Sequence, residues 1–390
     1  MPLKEHMILN MGPQHPSTHG VLRLILELDG ETVIKVTPDI GYLHTGVEKT
    51  MENKTYAQAL PLTDRLDYVA SLSNNLAYVL AVEKLLDIEV PPRAQIVRVL
   101  LTELTRIASH LVWMGSHAHD IGAMSPLLWV FREREKLLDI FELCSGQRMM
   151  TSYFRIGGLA KDIPEGFEDK VKEVLKTFPQ RFDEYENVLT NNRIWLNRTV
   201  GVGTISLEDA INCGLSGPII RACGLKWDIR KSNPYSSYEK FDFEIPSRKN
   251  GDVYDRYLVR VKEMRQSLRI VEQALNSIPE GDYIARVPGV IYPPKEEVLS
   301  NIEALIFHFK IAQEGFCPPK GEVYHSIESP KGELGYYIVS DGSNKPYRVR
   351  IRPPCLVNLS ALSKMVEGRL IADVVAVIGS IDIVLGEIDR

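Results

Sequence analysis

The chain has 390 residues, 44% hydrophobic and 25% charged, with 46 Lys and Arg against 51 Asp and Glu. That is ordinary globular composition with apolar material for a large core, and no repeat or low-complexity segment interrupts it. A formal net charge of −5 speaks against nucleic acid as a main partner, because phosphate binding wants a basic surface.

The first feature is a stiff loop, Gly12-Pro13-Gln14-His15-Pro16-Ser17-Thr18-His19-Gly20. Proline fixes φ and glycine permits positive φ, so the loop has few conformations. A histidine presented from it at the mouth of a strand suits ligand binding or proton delivery; the alternative is a tight turn whose histidines cap backbone groups. Residues 21–28 and 31–37 alternate and read as strands joined at Asp29-Gly30, a hairpin signal, which gives an N-terminal β-hairpin region over about 8–40. From 45 onward the pattern is helical. Residues 63–86 carry apolar positions at Leu66, Val69, Leu72, Leu76, Val79, Leu80 and Val82. Residues 94–114 form the clearest helix, with an apolar face wide enough for burial on more than one side. Ser125-Pro126 starts a helix running toward Met149, and Pro164 opens one that ends before Asn191. Residues 199–250 read as loops and short elements, 252–278 and 293–313 as long helices, and 335–339 and 347–351 as strands turned at Asp341-Gly342-Ser343. The apolar stretch Ile371 to Leu385 is interrupted by Asp373 and Asp382 and falls short of the roughly 20 residues of a spanning helix. The N-terminus lacks an apolar signal core. The expectation is a soluble, cytoplasmic, mainly helical α+β protein, a single domain over 1–390 with a helical body over 45–390 and small peripheral sheets.

Candidate chemistry competes with plainer readings. Thr63-Asp64-Arg65-Leu66-Asp67-Tyr68 reads as a helix start where Tyr68 can donate a hydrogen bond to a carbonyl ligand, or where the acids merely cap the helix. Asp120, after Ser116-His117-Ala118-His119, can hold a histidine and raise its proton affinity, or lie at a solvated helix end. His117 and His119, two apart, cannot share a metal face on a helix. His110 reads as a core histidine, and Arg132-Glu133-Arg134-Glu135 as a salt-bridged surface or polar groups in a proton path. Gly201-Val202-Gly203 lacks the third glycine of a dinucleotide fingerprint. Cys144, Cys213, Cys223, Cys317 and Cys355 form no CxxC pair and read as buried reduced thiols, without a disulfide framework or complete cluster site.

Six segments, in order along the chain, closely resemble the 49 kDa-type, quinone-pocket subunit family of bacterial NADH–quinone oxidoreductase, respiratory complex I. They are Gly12 to Leu24; Gly41-Tyr42-Leu43-His44-Thr45-Gly46 with Glu48-Lys49; Arg65-Leu66-Asp67-Tyr68; Phe131 to Glu135; Lys331-Gly332-Glu333-Leu334-Gly335; and Gly386-Glu387-Ile388-Asp389-Arg390. That family is similar in fold to the nickel–iron hydrogenase large subunit, whose two CxxC pairs hold the metals through soft thiolates. The matching positions here are Asp67 and Ala70, and Val384 and Glu387, so the resemblance implies a hydrogenase-shaped cavity without metal. It further implies that His19 and Tyr68 bind the head group of a quinone (menaquinone or ubiquinone), that Asp120 partners the histidine, and that Arg65 and Asp67 tune the phenol. Electrons are then expected from a 4Fe–4S cluster on a partner iron–sulfur subunit, this chain having no thiolate set for it. The other partners implied are further complex I subunits including the membrane arm. The chain would act in proton translocation as a peripheral protein on the cytoplasmic side of the membrane. Many relatives carry a histidine where Met150 stands; a methionine neither titrates nor donates, which predicts a lower, weakly pH-dependent cluster potential and a low-potential quinone. Asp382-Ile383 replaces their Asp-Pro. A hydrogenase large subunit and a non-catalytic scaffold are the competing readings.

Overall fold

The computed structural model describes residues 6–15 and 19–390. Met1–Glu5 and the Pro16-Ser17-Thr18 portion of the N-terminal loop lie outside the described residues. The architecture is mainly helical, with three small antiparallel sheets.

The N-terminal sheet has three strands, β1 (Met7–Met11), β2 (Arg23–Asp29) and β3 (Thr32–Asp39), in that order. Leu22, Leu24, Leu26 and Leu28 are all buried, the period-2 signature of a strand with one covered face. They pack with Val33 and Val36 against Leu362, Met365, Val366, Val374, Val377 and Ile378 from the C-terminal part of the chain. β1 pairs with β2, Met11 opposite Leu24, and extends the expected hairpin. Of its five residues only Met11 is buried, so its sequence carries no alternation. The short strands β4 (Phe154–Arg155) and β5 (Gly158–Leu159) make the second sheet.

The helical body surrounds Pro92–Asp120, a 29-residue helix opened by proline at its first position. It packs against Met124–Ser145, Val253–Asn276 and Ile371–Ile381, which explains its wide apolar face. It runs six residues past Met114 because Trp113, His117 and Ala118 are buried despite the polar look of the segment. The helix expected over 63–86 is two helices, Tyr56–Thr63 and Ser71–Leu86, with a turn between. Asp67 causes much of this break: its Oδ1 accepts from the Val69 backbone N–H at 3.1 Å, a local bond that competes with helix continuation. Met124–Ser145 ends at Gly146 (φ 80°), short of Met149. The helix expected to open at Pro164 begins after Gly166, as Phe167–Leu189. Asp252 caps Val253–Asn276 by accepting from Asp255 N–H at 2.7 Å. The helix expected over 293–313 breaks at Asn301 into Lys295–Ser300 and Ile302–Glu314, with the Asn301 side chain capping the second.

The third sheet has β6 (Gly321–Ser329), β7 (Gly332–Ser340) and β8 (Arg348–Arg352), in that order. β6 was not expected. Its turn into β7 is tight, with Ser329 opposite Gly332, and tucks Lys331 inside at 1% exposure. All five cysteines are free; Cys144, Cys223 and Cys355 are buried, but Cys317 is exposed, contrary to its reading as an inner thiol. Among the described residues no helix is long and apolar enough to cross a membrane.

Candidate functional site

His19 lies four residues before β2 with φ 52°, a left-handed conformation that non-glycine residues seldom adopt. Its Nε2 lies 2.9 Å from Oδ2 of Asp120, and the two side chains are only 19% and 11% exposed. Asp120 is the last residue of Pro92–Asp120. The unpaired carbonyls at that helix end carry partial negative charge, which disfavours a carboxylate unless a donor or cation meets it. The imidazole of His19 is that donor. One turn back, His117 is not solvated. It is buried between the rings of Trp113 and Trp195, 5.4 and 5.2 Å away. Burial, with the Arg260 guanidinium and His19, pushes its pKa down to about 3, so it stays neutral.

Tyr68 stands in the turn between Tyr56–Thr63 and Ser71–Leu86, not at a helix start. Its side chain is 38% exposed. Partial burial, then the neighbouring Asp67 carboxylate, raises the phenol above its ordinary range, so at neutral pH it is a firmly protonated donor. Arg65 is exposed and donates from Nη1 to the Pro61 carbonyl at 2.6 Å. Asp64 points inward and accepts from the Ser152 hydroxyl; burial raises its pKa to about 6.

Beside Tyr68 lies a buried charge cluster that residue chemistry alone did not reveal. Oδ2 of Asp67 is 2.9 Å from Nζ of Lys331, and Oδ2 of Asp382 is 3.7 Å from the same nitrogen. Glu387 accepts from the Cys355 backbone N–H at 3.2 Å. Lys331 and Glu387 are each 1% exposed. Asp67 and Glu387, two of the four positions expected to match hydrogenase cysteines, are both buried with carboxyl groups that feel one another. Ala70 precedes Ser71–Leu86 and Val384 precedes Leu385–Asp389 without a polar side chain. Among the described residues no group of three or more His, Cys, Asp or Glu is placed to hold a metal ion.

One short helix, Leu385–Asp389, joins the two turns. A Cβ on Gly20 would sit 3.3 Å from Cδ1 of Leu385. A Cβ on Gly386 would sit 2.7 and 2.8 Å from the carbonyl oxygens of Leu66 and Arg65. Consecutive residues of that helix thus touch the turn bearing His19 and the turn bearing Tyr68. The same helix receives the 41–44 loop, whose Gly41 and Leu43 N–H groups donate to the Asp389 carboxylate at 2.8 and 2.7 Å. Its follower Arg390 donates to Glu48 at 3.0 Å. The large cavity of about 990 Å³ bounded by Leu60, Ile284, Val287, Phe307 and Ile311 is separate, with none of His19, Tyr68 or Asp120 in its wall.

The remaining candidates are paired within the fold. His110 pairs Nε2 with Glu263 at 3.0 Å in the core. Glu133 is buried between Arg132 and Arg181, at 2.6 and 3.5 Å. Gly203 lets its carbonyl accept from Arg256 at 2.6 Å in a place where a Cβ would strike Val377.

Residues 120–390 match the family model described as respiratory-chain NADH dehydrogenase, 49 kDa subunit. The chain is 64% identical over 386 residues to the D subunit of NADH-quinone oxidoreductase from Geotalea uraniireducens, covering 99% of each chain. It is 64% identical over 384 residues to the D 1 subunit from Solibacter usitatus, covering 98% of this chain and 94% of that one. It is 61% identical over 389 residues to the D 2 subunit from Chloroflexus aurantiacus, covering 99% and 95%.

Proposed function

The chain belongs to the 49 kDa subunit family of respiratory-chain NADH dehydrogenases, with the mainly helical, hydrogenase-like α+β fold of a subunit in an oxidoreductase complex, and from that premise we propose that His19 and Tyr68 grip the head group of a quinone. The observation that carries this reading is the convergence of both turns on Leu385 and Gly386. Reducing a quinone by two electrons turns both carbonyl oxygens into strong bases. A donor at each oxygen stabilises the developing charge and supplies a proton. The imidazole of His19 serves one oxygen and the phenol of Tyr68 the other. Asp120 orients His19 and balances its positive form before proton transfer. Asp67 makes the Tyr68 phenolate a poor resting state, so the phenol keeps its proton until the quinone oxygen is basic enough to take it. Arg65 braces the turn through Pro61.

Electrons come from a 4Fe–4S cluster on a neighbouring iron–sulfur subunit. The loss of two protons from the His19–Tyr68 pair, beside Asp120, starts the charge rearrangement that a membrane arm turns into proton translocation. The chain then works as a peripheral protein on the cytoplasmic face, with menaquinone or ubiquinone as substrate.

The test is Tyr68→Phe and His19→Gln in the assembled complex. Each is expected to lower quinone reduction by about tenfold or more, in the range of one general-acid group, while the iron–sulfur signals and subunit content stay at the wild-type level. Unchanged reduction with intact assembly would make the chain a scaffold and end this reading.

A further inference from the structure

We propose that Glu387 is the proton reserve of this site, replacing through Asp67 the proton that Tyr68 gives to the quinone. The inference rests on the quinone reading above and adds a residue to it. Glu387 sits on Leu385–Asp389, one residue from the Gly386 contact with the Tyr68 turn. The groups facing it come from four directions: Asp67 from that turn, Lys331 from the β6–β7 hairpin, Tyr336 from β7, and Cys355 from the helix Pro354–Leu359. Asp382 completes the cluster from the end of Ile371–Ile381.

The charges do not balance. Three carboxyl groups share one ammonium, and Lys331 lies against Asp67 and Asp382. The Arg260 guanidinium feels Asp382 but donates to the Ser380 and Ile381 carbonyls instead. Among the described residues no cation comes within ion-pair distance of Glu387, and its donors, the backbone N–H and thiol of Cys355, are neutral. The cheapest arrangement leaves one proton in the cluster, on the carboxyl without a cation. Burial and then the Asp67 charge raise the pKa of Glu387 to about 7. Oδ2 of Asp382 is buried with no hydrogen-bond partner, so the cluster has an open acceptor as well. Asp67 and Lys331 perturb both Tyr68 and Glu387, which makes them the shared neighbours of donor and reserve.

The steps balance. The Tyr68 O–H bond breaks as an O–H bond forms on the quinone. The Glu387 O–H bond then breaks, its proton passes to the Asp67 carboxylate, and Asp67 returns a proton to the phenolate. Glu387 is left as a carboxylate that recovers a proton from solvent. No electron moves in the cluster.

The experiment compares wild type, E387Q and E387D in the assembled complex. Wild type is expected to lose kcat as pH rises through about 7, the range in which Glu387 gives up its proton. E387Q is expected to lower kcat about tenfold, to leave KM for the quinone within about twofold, and to abolish that alkaline limb; E387D restores it. An E387Q enzyme that keeps the limb, or a fall in kcat with an unchanged profile, overturns the proposal. If E387Q does not assemble, infrared difference spectra of the wild-type complex decide. Quinone reduction must bleach a protonated-carboxyl stretch at pH 6 and not at pH 8.5, and no bleach at either pH overturns the idea. Tyr68→Phe separates the two levels: a fully active Tyr68→Phe complex ends the quinone reading, whereas an inactive one beside wild-type-like E387Q ends only the reserve.

Discussion

Two buried charge clusters lie along the same central helix and differ in one respect. The first joins Glu103, Arg106, Arg221, Asp228, Arg230, Glu263 and Glu328, all essentially without exposure. Three guanidiniums there face four carboxyl groups: Arg230 lies 3.0 Å from Glu103 and 2.6 Å from Asp228, and Arg221 lies 2.7 Å from both Glu263 and Glu328. Tyr238 and Ser267 also donate to Glu103, at 2.7 and 2.6 Å. Burial alone would raise the pKa of Glu103, but Arg106 and Arg230 outweigh it and bring it down to about 2. Asp228 is likewise brought to about 2, with Arg230 the chief opponent of burial. The second cluster, around Lys331, has one cation for three carboxyl groups, and there burial wins at Glu387. The guanidinium network holds Glu103 and Asp228 as carboxylates and ties the helices together, although burial raises Glu328 even there. The lysine cluster leaves one proton undecided near neutral pH, which is the property a reactive site needs.

The largest expected effect comes from unbalancing the first cluster. Glu103→Ala strands Arg106 in the core and leaves Arg230 with Asp228 alone, and removing one partner of a buried pair costs about 3–5 kcal/mol. Loss of the folded subunit, read by thermal denaturation or by failure to assemble, is the outcome; a variant as stable as wild type would erase the contrast. Next comes pH. Glu103 and Asp228 have lowered folded-state pKa values, so their contribution is full above their unfolded values and is lost as pH falls toward about 2. Glu387 has a raised one, so the folded state binds the extra proton: its contribution is full below about 4.5 and is lost as pH rises through about 7. E387Q should therefore resist heat better than wild type at pH 8, by roughly 3 kcal/mol at most, with no gain at pH 4. A gain at both would show a packing effect instead. A smaller change is expected from Gly386→Ala. Its methyl has only 2.7 Å to the Leu66 carbonyl. The Tyr68 turn must shift, and quinone reduction should fall about tenfold, which is about 1.4 kcal/mol in the barrier, with melting little changed. The smallest is Met150→His: if the proposed partner cluster lies beside it, its redox potential should rise and become pH-dependent in redox titration.

The contrast between the clusters also marks what was legible in the sequence. The helices expected over 94–114, from Ser125-Pro126 toward 149 and over 252–278 are present, as 92–120, 124–145 and 253–276, because apolar periodicity carries each of them even where their ends differ. The break at 64–70 does not, because Leu66, Val69 and Leu72 continue the period while the cause is tertiary: Asp67 turns toward Lys331, 264 positions later in the chain. β1 escaped because only Met11 is covered, and β6 because its covered face, Val323, His325, Ile327 and Ser329, is half polar. His19, Tyr68 and Asp120 stood out through family resemblance; taken residue by residue, their chemistry left the plainer readings standing. Lys331 and Glu387 lay inside the family motifs without a role, and Cys355 was one thiol among five. What they do follows from burial and from who meets whom, and neither is written in local pattern.

The distances along the chain between these partners have a consequence for biogenesis. His19 meets Asp120 across 101 positions, and Gly41 meets Asp389 across 348. A nascent chain in which the central helix has just formed already holds both His19 and Asp120, but its Gly41 and Asp67 still lack their partners, with Lys331 and Asp389 unmade. Contacts of such long range are late and slow events in folding. The maturing polypeptide thus passes through a stage that is largely helical yet catalytically blank, and a chaperone or partner that recognised the bare Asp67 turn would have a direct means of telling unfinished copies from finished ones.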